Sequence, residues 1–174
     1  WDLRNLMYTG YKESNGPFVI RYPRGKGEMA EWRNKMQVLP IGKGKKLREG
    51  SDIAILSLGP IGNEVIKAIK TVENDGISVA HYDMIYLKPM DEELLHEVGK
   101  KFSRIITVEN GVIRGGLGSA VLEFMADNGY TPKIKRIGVP DEFVEHGPIS
   151  ELYKLCGMDA KCIAEEIKKM VIGG

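Results

Sequence analysis

The chain has 174 residues, of which 43% are hydrophobic and 28% are charged, which is typical of a folded globular domain and excludes a disordered or fibrous chain. Its 25 Lys and Arg residues nearly cancel its 24 Asp and Glu residues, so the composition gives no support for nucleic-acid or membrane-surface binding. The apolar runs are too short to span a bilayer, and two cysteines cannot build a disulfide framework. A reducing compartment is therefore expected.

The first part of the chain predicts one helix and one strand. Residues 2–13 place apolar side chains on one helical face, and residues 18–22 form a β-branched and aromatic run after an Asn-Gly-Pro turn. One helix and one strand cannot bury both their faces, so this unit needs a sheet from other sequence. The opening Trp1, in place of Met, also suggests a piece of a longer protein.

From residue 38 onward, strand and helix patterns alternate. The continuously apolar run at 52–58 is typical of a strand buried on both faces. The alternation predicts a three-layer α/β/α domain with a mainly parallel sheet. A turn at 48–50 predicts that the first two strands form a hairpin, which gives one antiparallel edge. The predicted strands are 41–47, 52–58, 77–82, 104–108 and 133–139, with helices between the later strands and two more at 148–156 and 159–172.

Helix boundaries can be predicted from capping residues. Asp91 is expected to cap a helix with an acidic first turn and a basic last turn, as the helix dipole favours. Asp159 is expected to cap the final helix, and Gly157 to end the helix before it.

The strongest basic cluster is RYPRGKG at 21–27, directly after the first predicted strand. Ligands of open α/β sheets bind outside the carboxyl ends of strands, so the Arg24 guanidinium is a candidate to bind a phosphate or carboxylate. Pro23 restricts the chain before it, and Gly25 and Gly27 allow close backbone approach. A solvated basic linker is the alternative interpretation.

A second candidate is ENGVIRGGLGS at 109–119, which predicts a strand end, a glycine-rich turn and a helix start. Exposed N–H groups at such a helix start can bind an anion. The dinucleotide fingerprint is not met, because Val121 occupies the third glycine position, and a P-loop sequence is also missing. Tight packing of the turn at 115–119 against its strand or a partner chain is the favoured interpretation.

The three histidines are scattered through the sequence. His81, His96 and His146 form no i, i+4 pair and have no neighbouring cysteine, so no metal site is expected. The Gly-x-Ser-x-Gly sequence of esterases is also missing. Sequence reasoning thus names no catalytic, cofactor-binding or metal-ligating residue, and it assigns no role to His146.

Four strings, in this order, closely resemble the C-terminal part of the 1-deoxy-D-xylulose-5-phosphate synthase family. They are GPFVIRYPRG at 16–25, DMIYLKPMD at 83–91, TVENGVIRGGLGS at 107–119 and IGVPDEFVEHG at 137–147. The resemblance covers essentially the whole chain. Transketolases and the β-subunits of 2-oxo-acid dehydrogenase E1 components share the general architecture but are less similar at the YPRG and FVEHG strings.

The resemblance implies a domain organisation. Residues 1–28 resemble the tail of a thiamine-diphosphate pyrimidine-binding domain, 29–37 a linker, and 38–174 a whole transketolase C-terminal domain. Family enzymes are homodimers that require thiamine diphosphate and Mg²⁺. The family residues that bind this cofactor and metal belong to upstream sequence, so none is assigned to this chain.

The resemblance also implies a reaction and a location. Family members condense pyruvate with D-glyceraldehyde 3-phosphate, with loss of carbon dioxide, to give 1-deoxy-D-xylulose 5-phosphate. Arg24 matches the family arginine that contacts the acceptor phosphate, while the C-terminal domain serves interdomain and dimer packing. The implied location is the bacterial cytoplasm, or the plastid stroma in a plant or alga. This chain alone is not expected to be active.

Two alternatives stay open at this point. The chain could be a fragment of a transketolase or of an E1 β-subunit, which a sugar-phosphate donor or a lipoyl-domain partner would reveal. It could also be a non-catalytic regulatory or interaction domain of the same fold. In that case Arg24 would lie away from any pocket, and the parent protein would lack thiamine diphosphate.

Overall fold

The structure, a computed structural model, describes residues 2–23 and 33–173, which build a five-stranded sheet between two layers of helices. The strands are β1 (Lys45–Arg48), β2 (Ile53–Leu58), β3 (Val79–Asp83), β4 (Arg104–Val112) and β5 (Lys133–Val139). The helices are α1 (Asp2–Glu13), α2 (Gly62–Glu73), α3 (Glu92–Lys101), α4 (Leu117–Asp127), α5 (Ile149–Leu155) and α6 (Ala160–Ile172).

Strand β2 lies at the centre of the sheet, whose order is β1-β3-β2-β4-β5, and it is parallel to both neighbours. Successive side chains of a strand point to opposite faces, and in β2 both faces are fully buried. Ile53 and Ile55 pack with α2 and α6, whereas Ala54 and Leu56 pack with α3 and α4. The predicted three-layer α/β/α arrangement is therefore confirmed.

The antiparallel edge exists, but its predicted partner is wrong. β1 pairs antiparallel with β3, placing Lys45 opposite Asp83, and β3 lies between β1 and β2. The turn at 48–50 is therefore a crossing past the amino end of β3, not a hairpin. A side chain at Gly50 would collide with the backbone of Val79. The physical reason is burial, because the exposed, basic β1 suits an edge whereas the apolar β2 needs a neighbour on each side.

The predicted strand at 18–22 is also wrong. In the described part of the chain this run pairs with no strand, and Val19 is 92% exposed. Strand propensity becomes a strand only when a neighbouring strand supplies main-chain hydrogen bonds and side-chain packing. The run is extended but lies outside the sheet.

Helix α1 is joined to the segment before β1 by two buried polar side chains. Asn5 Oδ1 accepts a hydrogen bond from the Gln37 N–H at 3.0 Å, and Thr9 Oγ1 accepts one from the Leu39 N–H at 2.8 Å. Farther along, the Phe18 ring packs edge-on against Tyr86, whose ring centroid is 6.4 Å away. Because Tyr86 follows β3, the N-terminal segment lies at the carboxyl ends of the strands.

The predicted helix signals are confirmed where the structure tests them. Asp91 accepts a hydrogen bond from the Leu94 N–H at 3.1 Å at the start of α3. Asp159 accepts one from the Cys162 N–H at 2.9 Å at the start of α6. Gly157, between α5 and α6, has a φ of +66°, a conformation that glycine adopts without strain.

Candidate functional site

The direction in which the sheet is built reverses at β2. From β2 the chain passes through α2 to β3 on one side, then through α3 to β4 on the other side of β2. Helices α2 and α4 cover opposite faces, so the crevice expected at a topological switch point lies between the carboxyl ends of β2 and β4. Ligands of open α/β sheets usually bind at such a topological switch point. This switch-point crevice, bordered by Glu109, Asn110 and the first turn of α2, is the candidate site.

Arg24, the arginine that the sequence predicts to bind phosphate, lies outside the described residues, as do residues 29–32 of the predicted linker. The described segment before it ends at Pro23 and contains Arg21. Burial raises the pKa of Tyr153, the negative charge of Glu64 raises it further, and the positive charge of Arg21 lowers it in part. Arg21, the first residue of the basic cluster, is therefore close enough to α5 for its charge to act on Tyr153.

The glycine-rich turn binds an anion that the chain itself provides. Glu109 is only 4% exposed, and its carboxylate accepts hydrogen bonds from the Leu117 N–H at 2.8 Å and the Gly118 N–H at 2.9 Å. These N–H groups belong to the first turn of α4, where a negative charge is favoured by the helix dipole. A side chain at Gly116 would collide with this carboxylate. The arrangement supports the packing interpretation of the turn.

Arg136 of β5 holds the same turn from its other side. Its Nη1 donates hydrogen bonds to the Ile113 carbonyl at 3.0 Å and to Ser119 Oγ at 3.1 Å. A Cβ at Gly118 would lie 2.7 Å from Arg136 Cδ, so the helix start needs glycine to pack this closely. The turn is a tightly bonded joint between β4, β5 and α4.

A buried Ser-His pair lies between β2 and β3. Ser57 Oγ and His81 Nε2 are 2.8 Å apart, and each residue is only 1% exposed. Burial lowers the pKa of His81 to about 4, so the ring is neutral near pH 7. A serine nucleophile must reach substrate, and Gly62 of α2 lies directly over this hydroxyl. The pair therefore contributes to the core and offers no nucleophile.

The turn after β3 packs against the N-terminal segment. Asp83 accepts a hydrogen bond from the Ile85 N–H at 3.1 Å, and Ile85 has a φ of +56°, which is uncommon for a β-branched residue. Burial raises the pKa of Asp83 to about 6, and the charge of Asp2 on α1 acts in the same direction. The carboxyl end of β3 is therefore covered by chain rather than open.

Asn110 and Tyr153 form a polar contact at the switch-point crevice that sequence reasoning missed. Asn110 Nδ2 donates a hydrogen bond to the Tyr153 hydroxyl at 3.2 Å. The Tyr153 ring packs against the core shared by α2 and α6. No sequence signal joins two residues 43 positions apart, although Asn110 stands in the TVEN string.

The FVEHG string lies on an exposed loop. Phe143 is fully exposed and His146 is exposed as well. Beside the loop, a groove of about 520 Å³ is bordered by Arg114, which forms an ion pair with Asp141 at 3.5 Å. Within residues 2–23 and 33–173, we find no group of three His, Cys, Asp or Glu residues placed to hold a metal ion. In the same residues, no helix has the length and apolar character needed to cross a membrane.

Comparisons with known proteins agree on one architecture. The family model "Transketolase, C-terminal domain" matches residues 42–163. The chain is 77% identical over 168 residues to a 1-deoxy-D-xylulose-5-phosphate synthase of Parabacteroides distasonis, covering 97% of this chain and 27% of that protein. It is 61% identical over 170 residues to the synthase of Azobacteroides pseudotrichonymphae, covering 95% of this chain and 27% of that protein.

A solved structure supports the same fold. It is a split-gene transketolase, described as an inactive β4 tetramer, with a TM-score of 0.70 and 32% identity. The match covers 78% of this chain and 43% of that one. The chain spans about a quarter of the length of the curated relatives it matches.

We predict that Glu109→Gln lowers the free energy of unfolding by about 2 kcal/mol. The buried amide would lose the negative charge at the α4 start and would turn an N–H group toward another N–H group. Chemical denaturation measures the loss. Glu123→Gln, on the exposed face of the same helix, should change the unfolding free energy by less than about 0.5 kcal/mol. Equal effects of the two substitutions would contradict the assigned role.

We also predict that the free energy of unfolding falls on acidification because of His81. Its pKa is about 4 in the folded chain and ordinarily 6.5, so the unfolded chain binds more protons between these values. The contribution of His81 to the free energy of unfolding is therefore fully present above pH 6.5. It falls by about 3 kcal/mol as the pH drops to 4. His81→Gln should remove this loss, as measured by denaturation at several pH values.

Asp83 acts in the opposite direction and serves as the control. Its pKa is raised from 3.8 to about 6, so its contribution is present at low pH and is lost as the pH rises from 3.8 to 6. Asp83→Asn should therefore steepen the acid loss that His81→Gln reduces. Identical pH dependence in both variants would refute the assignment.

Proposed function

Because the chain belongs to the transketolase C-terminal domain family and is 77% identical to a 1-deoxy-D-xylulose-5-phosphate synthase over 97% of its length, we propose that it is the C-terminal part of such a synthase. This identity is the observation that carries the proposal. The full-length protein condenses pyruvate with D-glyceraldehyde 3-phosphate, releases carbon dioxide and forms 1-deoxy-D-xylulose 5-phosphate. It is a thiamine-diphosphate-dependent transferase.

The cofactor is bound by other parts of the full-length protein. The described residues contain no cluster of metal ligands for Mg²⁺, and the glycine-rich helix start is already filled by Glu109. These residues therefore do not fit a diphosphate-Mg²⁺ group. The contribution of this chain is to acceptor binding and to packing.

Arg24 is the proposed contact to the acceptor phosphate. A guanidinium donates two parallel hydrogen bonds to phosphate oxygens, which fixes orientation as well as charge. Support comes from the described residues before Arg24, because Phe18 in the same segment packs against Tyr86, just after the carboxyl end of β3.

The proposed domain organisation follows the same relationship. Residues 1–28 form the end of a pyrimidine-binding domain, and residues 29–37 form a linker. Residues 38–174 form the C-terminal domain, most of which the family model matches. Exposed Phe143 and Leu155 support a role in packing against other domains or the second subunit of a homodimer. The organisms of the relatives are bacteria, which supports a bacterial cytoplasmic location.

Carbon dioxide release from pyruvate tests the proposal. The full-length protein, supplied with thiamine diphosphate and Mg²⁺, should release carbon dioxide at a rate that rises strongly when D-glyceraldehyde 3-phosphate is added. The 174-residue chain should release none. Release that ignores the triose phosphate would contradict the synthase assignment and favour another transketolase-like activity.

In the full-length protein, Arg24→Ala should lower kcat/KM for D-glyceraldehyde 3-phosphate far more than for pyruvate, because only the acceptor carries a phosphate. Losing a charge-assisted hydrogen bond costs about 1.5 to 3 kcal/mol, or roughly 10- to 150-fold. Steady-state kinetics with each substrate varied separately measures the difference. Arg48→Ala, on the edge strand β1, is the matched control and should leave both values unchanged. Equal losses for both substrates would rule out the phosphate role.

A further inference from the structure

Helix α1 buries polar side chains and exposes apolar ones, the reverse of the usual arrangement. Its buried residues are Asn5 and Thr9. Leu3, Met7 and Tyr11 are all exposed, and Met7 and Tyr11 are so by 61% and 81%. A surface helix normally turns its apolar stripe toward the core. In α1 the side that packs against the described chain is instead the polar one.

The exposed apolar residues form one stripe on α1. Leu3, Met7 and Tyr11 follow one another at intervals of four residues, so they lie on the same face of the helix, one turn apart. Met7 is two residues from both Asn5 and Thr9, which places it roughly 160° around the helix from each. The apolar stripe therefore faces away from the chain before β1, to which Asn5 and Thr9 bond.

The extended run 18–22 lies beside the apolar stripe. A Cβ at Gly10 would lie 2.8 Å from Phe18 Cδ1, so the helix and the run are in direct contact there. Gly10 follows Met7 by three residues, and residues at this spacing are neighbours on a helix surface. The run therefore lies on the side of α1 that carries the stripe.

The main chain of the run is ready to pair with a strand. In the part of the chain that the structure describes, no hydrogen-bond partner is found for the N–H and C=O groups of residues 18–22. Val19 is almost fully exposed, and Tyr22 is exposed as well. An extended segment of β-branched and aromatic residues with free main-chain groups can add to the edge of a sheet.

A β-sheet is the partner that satisfies both features at once. A sheet that gains the run as a strand extends beneath the side of α1 that contacts the run, and its apolar face covers the stripe. The described sheet does not fill this role, because the run pairs with none of β1–β5. The match to the synthase of Parabacteroides distasonis covers only 27% of that protein, so most of it has no counterpart in this chain.

We propose that run 18–22 adds as a strand to a β-sheet in the preceding part of the full-length protein, and that the apolar stripe of α1 covers one face of that sheet. The inference rests on the proposed function, which makes the rest of the synthase the partner. Helix α1 is then shared by two domains. Asn5 and Thr9 fasten its polar side to the C-terminal domain, and the stripe packs on the other domain.

Amide hydrogen exchange in the full-length protein tests the strand pairing. Pro17 and Pro23 bound the run and carry no N–H, so its five N–H groups are those of residues 18–22. When paired in a sheet, these groups should exchange at least about 100-fold more slowly than in an unstructured peptide of the same sequence. Mass spectrometry of peptides that contain the run measures the rate.

Met7→Lys tests the role of the stripe in the same full-length protein. It should speed exchange of the run by about 10-fold, because a lysine cannot stay buried against a sheet without a charged partner. Met7→Leu keeps the stripe apolar and should leave the rate unchanged. Slow exchange of β2 in every variant shows that the C-terminal domain is folded.

Ile66→Lys, on the outer surface of α2, is the matched control. Ile66 is 40% exposed and is thus more buried than Met7 in the described chain, so local burial alone makes its replacement the costlier one. Packing of the stripe on a second sheet predicts the opposite order. Ile66→Lys should therefore leave exchange of the run unchanged.

Three outcomes overturn the inference: the run exchanges at the unstructured rate in the unmodified full-length protein, Met7→Lys and Met7→Leu exchange equally, or protection disappears on dilution. The last result would assign the surface to a second copy of the chain. Carbon dioxide release separates these failures from that of the proposed function. Release that depends on D-glyceraldehyde 3-phosphate, with an unprotected run, means that the proposed function stands and the inference fails. Release that ignores the triose phosphate, with a protected run, means the reverse.

Discussion

Burial of β2 on both faces is the constraint on which the rest of the structure depends. Burying a large apolar side chain such as Ile or Leu contributes roughly 1.5 to 3 kcal/mol, so a strand with four fully buried residues, three of them Ile or Leu, needs helices above and below and a strand on each side. β3 and β4 flank β2, and the basic, exposed β1 is left at the edge. The switch-point crevice follows from the same arrangement, because α2 and α4 must cover opposite faces.

Glu109 occupies the anion-binding position at the carboxyl end of β4. The start of α4 has the free N–H groups and the glycines of an anion-binding site, yet a buried side chain of the same chain satisfies those groups. A phosphate could bind there only by displacing the buried Glu109 carboxylate, for which residues 2–23 and 33–173 show no partner other than these two N–H groups.

The N-terminal segment connects the fold to the proposed chemistry. Asn5 and Thr9 fasten α1 to the chain before β1, and Phe18 packs on the turn after β3. Up to Phe18 the segment is thereby held near the carboxyl end of β3.

The sequence by itself determined the layer architecture, most element positions, the helix caps at Asp91 and Asp159, and the family, because these depend on local periodicity, capping chemistry and contiguous strings. Only the tertiary structure decided that β1 pairs with β3, that residues 18–22 stay outside the sheet, and that Glu109 fills the α4 start. It also brought Asn110 to Tyr153. Strand order and such long-range contacts depend on which surfaces compete for burial and hydrogen bonds, and local sequence does not encode that competition.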